Sequence, residues 1–116
     1  MKKTALPAFP MPRKDKPNVL PLEGEIDLHV SPTVAASLQM MIEKKPKKLI
    51  VDLARVTYVD SSGLAVLIEG MQNVEKYGGK FAVAGLQETV RLIFEIARLD
   101  QVFQIFLTVE AALTAT

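Results

Sequence analysis

Asp60-Ser61-Ser62-Gly63 is where this chain sets groups able to do or receive chemistry side by side: a carboxylate, two hydroxyls and a glycine, directly ahead of a run with helical spacing. Asp and Ser both cap helices well, because their side-chain oxygens accept backbone N–H groups that the first turn leaves unpaired. Gly63 would then only ease the chain from loop into helix. Three such residues exceed what one cap requires, and no Glu or Gln follows at the spacing of a capping box. A serine in the first turn of a helix is suited to carry phosphate, since the free amides and the helix dipole favour negative charge there. Adding ~1.5 to 2 negative charges at that rim would leave a core intact, yet repel an acidic partner or spoil an interface that had desolvated the hydroxyl. On the residues alone, two readings stand together: a helix cap, and the acceptor of a reversible binding switch.

Other chemistry finds little support. His29 is the single histidine and there are no cysteines, so a multi-histidine or thiolate metal site is excluded and a Ser-His-Asp constellation would have to recruit this one imidazole. Neither GxxxxGK[ST] nor GxGxxG occurs; Gly78-Gly79-Lys80 lies between a helix end and a strand start, where it reads as a helix stop. The nucleophile elbow GxSxG around Ser62 would need glycine where Asp60 stands. No catalytic activity and no cofactor are expected.

The elements that must position the Asp60 loop alternate between strand and helix. Val19, Leu20 and Leu22, then Ile26, Leu28 and Val30, predict an extended stretch with Gly24 at a bulge or turn. Ser31-Pro32 opens a helix whose face carries Val34, Leu38, Met41 and Ile42, and Pro46 stops it. Leu49-Ile50-Val51 and Leu53 read as a short strand covered on both faces, hence central. After Gly63, the residues Leu64, Leu67, Ile68, Met71 and Val74 predict a second helix, slightly weakened by Gly70 and ended by Gly78-Gly79. Residues 81–84 form a third strand, 87–98 a third helix and 102–107 a fourth strand; 110–113 begin a short last helix. Short connections between such elements imply crossovers and a mainly parallel sheet of four to five strands with about four helices packed on it, an α/β fold. Function in open α/β sheets collects at the carboxyl ends of strands, and the Asp60 loop occupies such a place. On the third helix, Val90, Ile93, Phe94 and Ala97 make a core stripe, while Leu92, Ile96 and Leu99 add apolar residues that mark either an interface or packing beneath the C-terminal segment.

With 116 residues, 49% apolar and 23% charged, the chain suits one domain that buries roughly 65% of its unfolded surface. Residues 1–17 contain four of the seven prolines and a net charge of +4, reading as a basic tail or edge segment; residues 18–116 carry −3 and read as the domain. The only other basic run, Lys44, Lys45, Lys47 and Lys48 around Pro46, reads as a solvated helix end and loop, so no direct nucleic-acid binding is expected. The mean hydropathy of +0.22 is high. Yet the longest aliphatic run, Leu64 to Ile68, falls far short of the ~20 residues of a membrane span, so no insertion is expected. Pro7, Pro10 and Pro12 interrupt what would be the apolar part of an export signal, which favours a cytoplasmic protein.

Three segments together resemble the STAS domain family, and more narrowly its bacterial anti-sigma factor antagonists. Leu22-Glu23-Gly24-Glu25-Ile26-Asp27 is similar to the family's strand-end pattern. Val51-Asp52-Leu53 followed by Val59-Asp60-Ser61-Ser62-Gly63-Leu64 is similar to its phosphorylation motif, and Gly78-Gly79-Lys80 enters the next strand as in the family. The resemblance implies a partner switch. The unmodified protein binds a serine kinase that doubles as an anti-sigma factor, freeing a sigma factor; phosphorylation ends the binding and a serine phosphatase resets it. The acceptor position matches Ser62, and the implied contact residues are Asp60, Ser61, Ser62, Gly63 and Leu64, with Asp27 in a second loop. The family usually opens with a strand before the Gly-acidic-aliphatic-Asp strand, where this chain is proline-rich and basic. Thr4 to Phe9 is the candidate for a frayed edge strand, and such an edge bears on whether the protein forms a homodimer. The rival reading is a STAS-type regulatory or assembly subunit of a membrane transporter, not phosphorylated on serine; nucleotide binding at the Ser62 loop is a weaker third.

Overall fold

The structure, a computed structural model, describes residues 9–115. Its centre is β2 (Lys48–Val59), flanked by β1 (Val19–Ile26) and β3 (Lys80–Ala84), with β4 (Gln104–Phe106) beyond β3. All neighbouring pairs are parallel. Between them run α1 (Ser31–Glu43), α2 (Ser61–Lys76) and α3 (Glu88–Ile96), and α4 (Val109–Thr114) follows β4.

Alternation along the strands divides the core in two. Leu20, Leu22, Leu49, Val51, Leu53, Phe81 and Val83 meet Val34 and Leu38 of α1, Leu67, Met71 and Val74 of α2, and Val90 and Phe94 of α3 in one buried cluster. Consecutive crossovers of the same hand place all three helices on that face. Val19, Ile50, Ala82 and Ala84 point the other way, onto Val109 and Ala112 of α4. The continuous Leu49-Ile50-Val51 run is thus covered on both sides, as a central strand requires.

β2 is longer than the short strand expected. β3 pairs with it only as far as Asp52, so residues 53–59 pair with β1 alone. There the register slips twice, between Pro21 and Glu23 and between Gly24 and Glu25, each slip placing an extra residue in β2. Such bulges twist and bend a strand. Burial beyond Leu53 falls on Val56 and Val59, every third residue, and no longer reads as alternation.

Other boundaries move for local reasons. β1 ends at Ile26 and does not reach Leu28 and Val30 as expected, because the Asp27 carboxylate accepts the amides of His29 (3.0 Å) and Val30 (3.1 Å) and turns the chain. α3 stops at Ile96, short of Arg98, which adopts the left-handed conformation (φ 64°) that leads into a 3₁₀ turn over Leu99–Gln101. That turn takes up Val102 and leaves β4 shorter than residues 102–107. Lys48 is not part of a solvated loop. Its Nζ donates to the carbonyls of Ala112 (2.8 Å), Leu113 and Ala115, placing a cation on the C-terminal end of α4, where the helix dipole favours it. Ala97 is exposed rather than part of the α3 core stripe. Leu99 packs against the core, whereas Leu92 and Ile96 face solvent, Ile96 at 82% exposure.

Residues 9–18 are irregular and are fastened to the domain by main-chain groups: Ser37 Oγ donates to the Pro10 carbonyl (2.7 Å) and the Arg13 amide to the Val19 carbonyl (2.9 Å). Among the described residues β1 is an edge strand and the sheet has four strands. The expected edge strand at Thr4 to Phe9 lies, except for Phe9, outside the described residues.

Candidate functional site

β1 and β2 end side by side, Ile26 opposite Val59, so the two loops that follow them meet. The Asp60 amide donates to the Ile26 carbonyl (3.1 Å), which continues the ladder by one bond into the second loop. Asp60 is the N-cap of α2 in extended conformation, its Oδ1 accepting the Gly63 amide (3.0 Å). The same Oδ1 accepts the Ser62 hydroxyl at 2.6 Å, and Oδ2 accepts the amide of Leu28 in the other loop at 3.1 Å. One carboxylate therefore caps its own helix, holds the candidate acceptor serine and fastens the neighbouring loop. The Ser62 hydroxyl and the Gly63 amide, the strongest of these donors, hold its carboxyl below the usual carboxylate range.

Ser62 is half-buried in the first turn, and its Oγ lies 2.8 Å from Oγ of Ser31 in α1. Ser31 is buried, at 4% exposure, and donates to the Asp27 carbonyl at 2.7 Å. The helix-opening serine predicted to cap α1 does something else. The N-cap is Val30, without a side-chain bond, and the Ser31 hydroxyl turns inward to the neighbouring helix start. Gly63 is buried against the strand ends. A Cβ there would stand 2.7 Å from Val59 Cγ1 and 2.8 Å from the Ile26 carbonyl oxygen. Its place in the motif thus has a packing cause, beyond the easing of a turn.

Of the six residues singled out in the sequence, Asp60, Ser62 and Gly63 are joined by direct bonds, and Asp27 connects to Ser62 through Ser31. Ser61 is exposed and its hydroxyl has no protein partner among the described residues; Leu64 turns toward the core. Leu28, at 74% exposure, stands out beside the site. Among the described residues no lysine or arginine bonds into this group, and the His29 side chain makes no hydrogen bond to Ser62, so no Ser-His-Asp constellation forms. What remains is a hydroxyl bonded to one carboxylate at a helix start, with a second hydroxyl beside it. It can receive a group, and a charge added there changes the surface without entering the core.

Comparison with known proteins gives the family. The profile of the STAS domain matches residues 8–112. The chain belongs to the STAS domain family. An anti-sigma-B factor antagonist of Listeria monocytogenes is 30% identical to this STAS domain over 82 residues, 71% of this chain and 72% of the relative. An anti-sigma factor antagonist of Mycobacterium paratuberculosis superposes with a TM-score of 0.76 at 28% identity, over 83% of this chain and 81% of the other. The anti-sigma factor antagonist SpoIIAA in its unphosphorylated form superposes with a TM-score of 0.71 at 26% identity, over 82% and 83% of the two chains. The phosphorylated form of SpoIIAA, a cell fate determinant of Bacillus, gives 0.64 at 25%, over 82% and 86%. The α/β architecture with a parallel sheet, expected from the alternation of elements, is the architecture of these STAS neighbours.

The residue that the sequence left unassigned to the site is Ser31. The available signal was a hydroxyl four residues after Asp27, mirroring Ser62 two residues after Asp60, but the two become neighbours only because β1 and β2 are adjacent and parallel.

Proposed function

We propose that this STAS domain is an anti-sigma factor antagonist that works by partner switching. The unmodified form binds an anti-sigma factor that is also a serine kinase, which frees a sigma factor. Phosphorylation of Ser62 ends that binding and a serine phosphatase restores it. The observation that carries this reading is the Ser62 hydroxyl, half-buried at a helix start and bonded to Asp60, in a chain whose relatives are anti-sigma factor antagonists. One of them, SpoIIAA, is known in phosphorylated and unphosphorylated forms. The partner would contact the rim formed by Asp27, Asp60, Ser61, Ser62, Gly63 and Leu64. A phosphate on Ser62 would add ~1.5 to 2 negative charges beside the Asp60 carboxylate, with no basic side chain among the described residues bonded there to offset it, and would repel an acidic partner surface or spoil an interface that had desolvated the hydroxyl.

In this reading residues 18–116 form the switching domain, residues 1–17 are an appended segment, and the protein acts in the cytoplasm as substrate and ligand, with no catalysis of its own. Among the described residues no helix is long and apolar enough to cross a membrane. The test is site-mapping mass spectrometry of the endogenous protein, isolated with phosphatase inhibitors from growing and stressed cells. Phosphate on Ser62 with an occupancy that follows condition is the expected result. Ser62→Ala should keep kinase binding and lose the modification, and Ser62→Asp should bind more weakly. If Ser62 stays unmodified in every condition and both variants bind as wild type, the switch is excluded and a transporter-associated STAS subunit takes its place.

A further inference from the structure

Three short oxygen contacts in this site share two protons. Ser62 Oγ lies 2.6 Å from Asp60 Oδ1, Ser31 Oγ lies 2.7 Å from the Asp27 carbonyl oxygen, and the two hydroxyl oxygens are 2.8 Å apart. A carboxylate and a carbonyl only accept, and each hydroxyl carries one hydrogen. The carboxylate is the stronger acceptor, so the Ser62 hydrogen stays on Asp60. The Ser31 hydrogen is then the one that moves, between the Asp27 carbonyl and Ser62 Oγ. The Asp27 carbonyl does not depend on it, because it also accepts the amides of Val30 (3.1 Å) and Ser31 (2.8 Å).

We infer that Ser31 is a positioning residue for Ser62, whose buried hydroxyl fixes the Ser62 side chain before modification and donates to the phosphoryl group after it. This deepens the partner-switching reading by naming what the phosphorylated serine would rest on. Esterified, Ser62 Oγ has no hydrogen to give Asp60, and the added group brings charged oxygens that outcompete a neutral carbonyl for the Ser31 hydrogen. Ser31 is placed for this because it is 4% exposed and its hydroxyl is held against the Asp27 carbonyl of the turn that precedes α1. Among the described residues it is the side-chain hydroxyl bonded to Ser62 from outside α2.

The test uses the full chain with phosphoserine installed at position 62 by genetic encoding, so that no kinase is needed. The second ionisation of the phosphate is followed by ³¹P NMR. A donor to the dianion lowers that pKa, so Ser31→Ala should raise it by several tenths of a unit, while Ser31→Thr, which keeps the hydroxyl, should hold it near the parent value. Asp27, His29 and Asp60 are common to all the forms and cancel in the difference. Ser31→Cys, close in size but a weak donor, should follow alanine, which separates donation from packing should the alanine variant fold poorly. An unmoved phosphate titration in well-folded Ser31→Ala or Ser31→Cys overturns the inference. The outcome is independent of whether cells phosphorylate Ser62: the partner-switching reading fails by an unmodified Ser62 in vivo, this one by an indifferent Ser31.

Discussion

The starts of α1 and α2 follow adjacent parallel strands, and each has an aspartate just past the strand end, yet the two aspartates act over different ranges. Asp27 accepts from His29 and Val30 in its own loop. Asp60 accepts from Ser62 and Gly63 in its own helix and also from Leu28 in the other loop. The first is a local turn; the second is a tie between two segments 32 residues apart. The comparison separates a residue that shapes a connection from one that makes two connections into a single surface, and a binding rim needs the second kind.

The largest effect is expected where the comparison is steric. The third helical residue of α2 is Gly63, whose added Cβ would press on Val59 Cγ1 at 2.7 Å, the Ile26 carbonyl at 2.8 Å and Ile26 Cγ2 at 3.0 Å. The same position in α1 is Thr33, half-buried and bonded to the Val30 carbonyl at 2.8 Å. Overpacking of this kind costs about 1–3 kcal/mol, against a gain of up to about 1 kcal/mol for alanine over glycine in a helix. Gly63→Ala should therefore lose about 1–2 kcal/mol in urea denaturation. Thr33→Ala loses one hydrogen bond, about 0.5–1.5 kcal/mol, and regains part of it in helix propensity, about 0.5 kcal/mol, so it should cost less than about 1 kcal/mol. Equal losses would mean that the two helix starts are packed alike and would break the comparison.

How much of this was legible in the sequence depends on whether the cause was local. The order of elements, the central strand and the placing of Asp60 to Gly63 at a strand end follow from apolar spacing and from breakers such as Pro46 and Gly78-Gly79, which act on their immediate neighbours. Leu28 and Val30 misled for the same reason: they continue the alternation of β1, while the turn is set by the Asp27 side chain, which spacing does not register. β2 looked short because its second half lacks β3 as a neighbour and its burial falls on Val56 and Val59. The Lys48 contact to α4 and the Ser31 contact to Ser62 join residues 64 and 31 apart, and both depend on strands already being paired.

A middle-sized effect is electrostatic. Asp60→Ala should lower the melting temperature more than Asp27→Ala, and it should free the Leu28 amide in the opposite loop from its side-chain acceptor, read as faster hydrogen exchange at that amide. Because Ser62 and the Gly63 amide hold the folded Asp60 carboxyl below its unfolded value near 3.9, its contribution to stability is present above about pH 4 and drains away as pH falls through the folded value. Ser62→Ala removes the strongest of those donors, so the Asp60 carboxyl should titrate at higher pH in that variant, as followed by ¹³C NMR. An unchanged titration would mean that the 2.6 Å contact contributes nothing to the ionised form.

The smallest effect sharpens the contrast to a single step along the chain. Ser61 and Ser62 are adjacent and chemically identical, but Ser62 faces Asp60 and Ser31 while Ser61 faces solvent without a protein partner among the described residues. Ser61→Ala should change stability by no more than about 0.5 kcal/mol and leave the Asp60 titration where it was. Its effect should appear only on a bound partner, because an exposed hydroxyl at a rim has nothing else to lose. A Ser61→Ala change that moved Asp60 as far as Ser62→Ala does would mean that both serines share the carboxylate, and the assignment of one acceptor among two neighbouring hydroxyls would lose its physical basis.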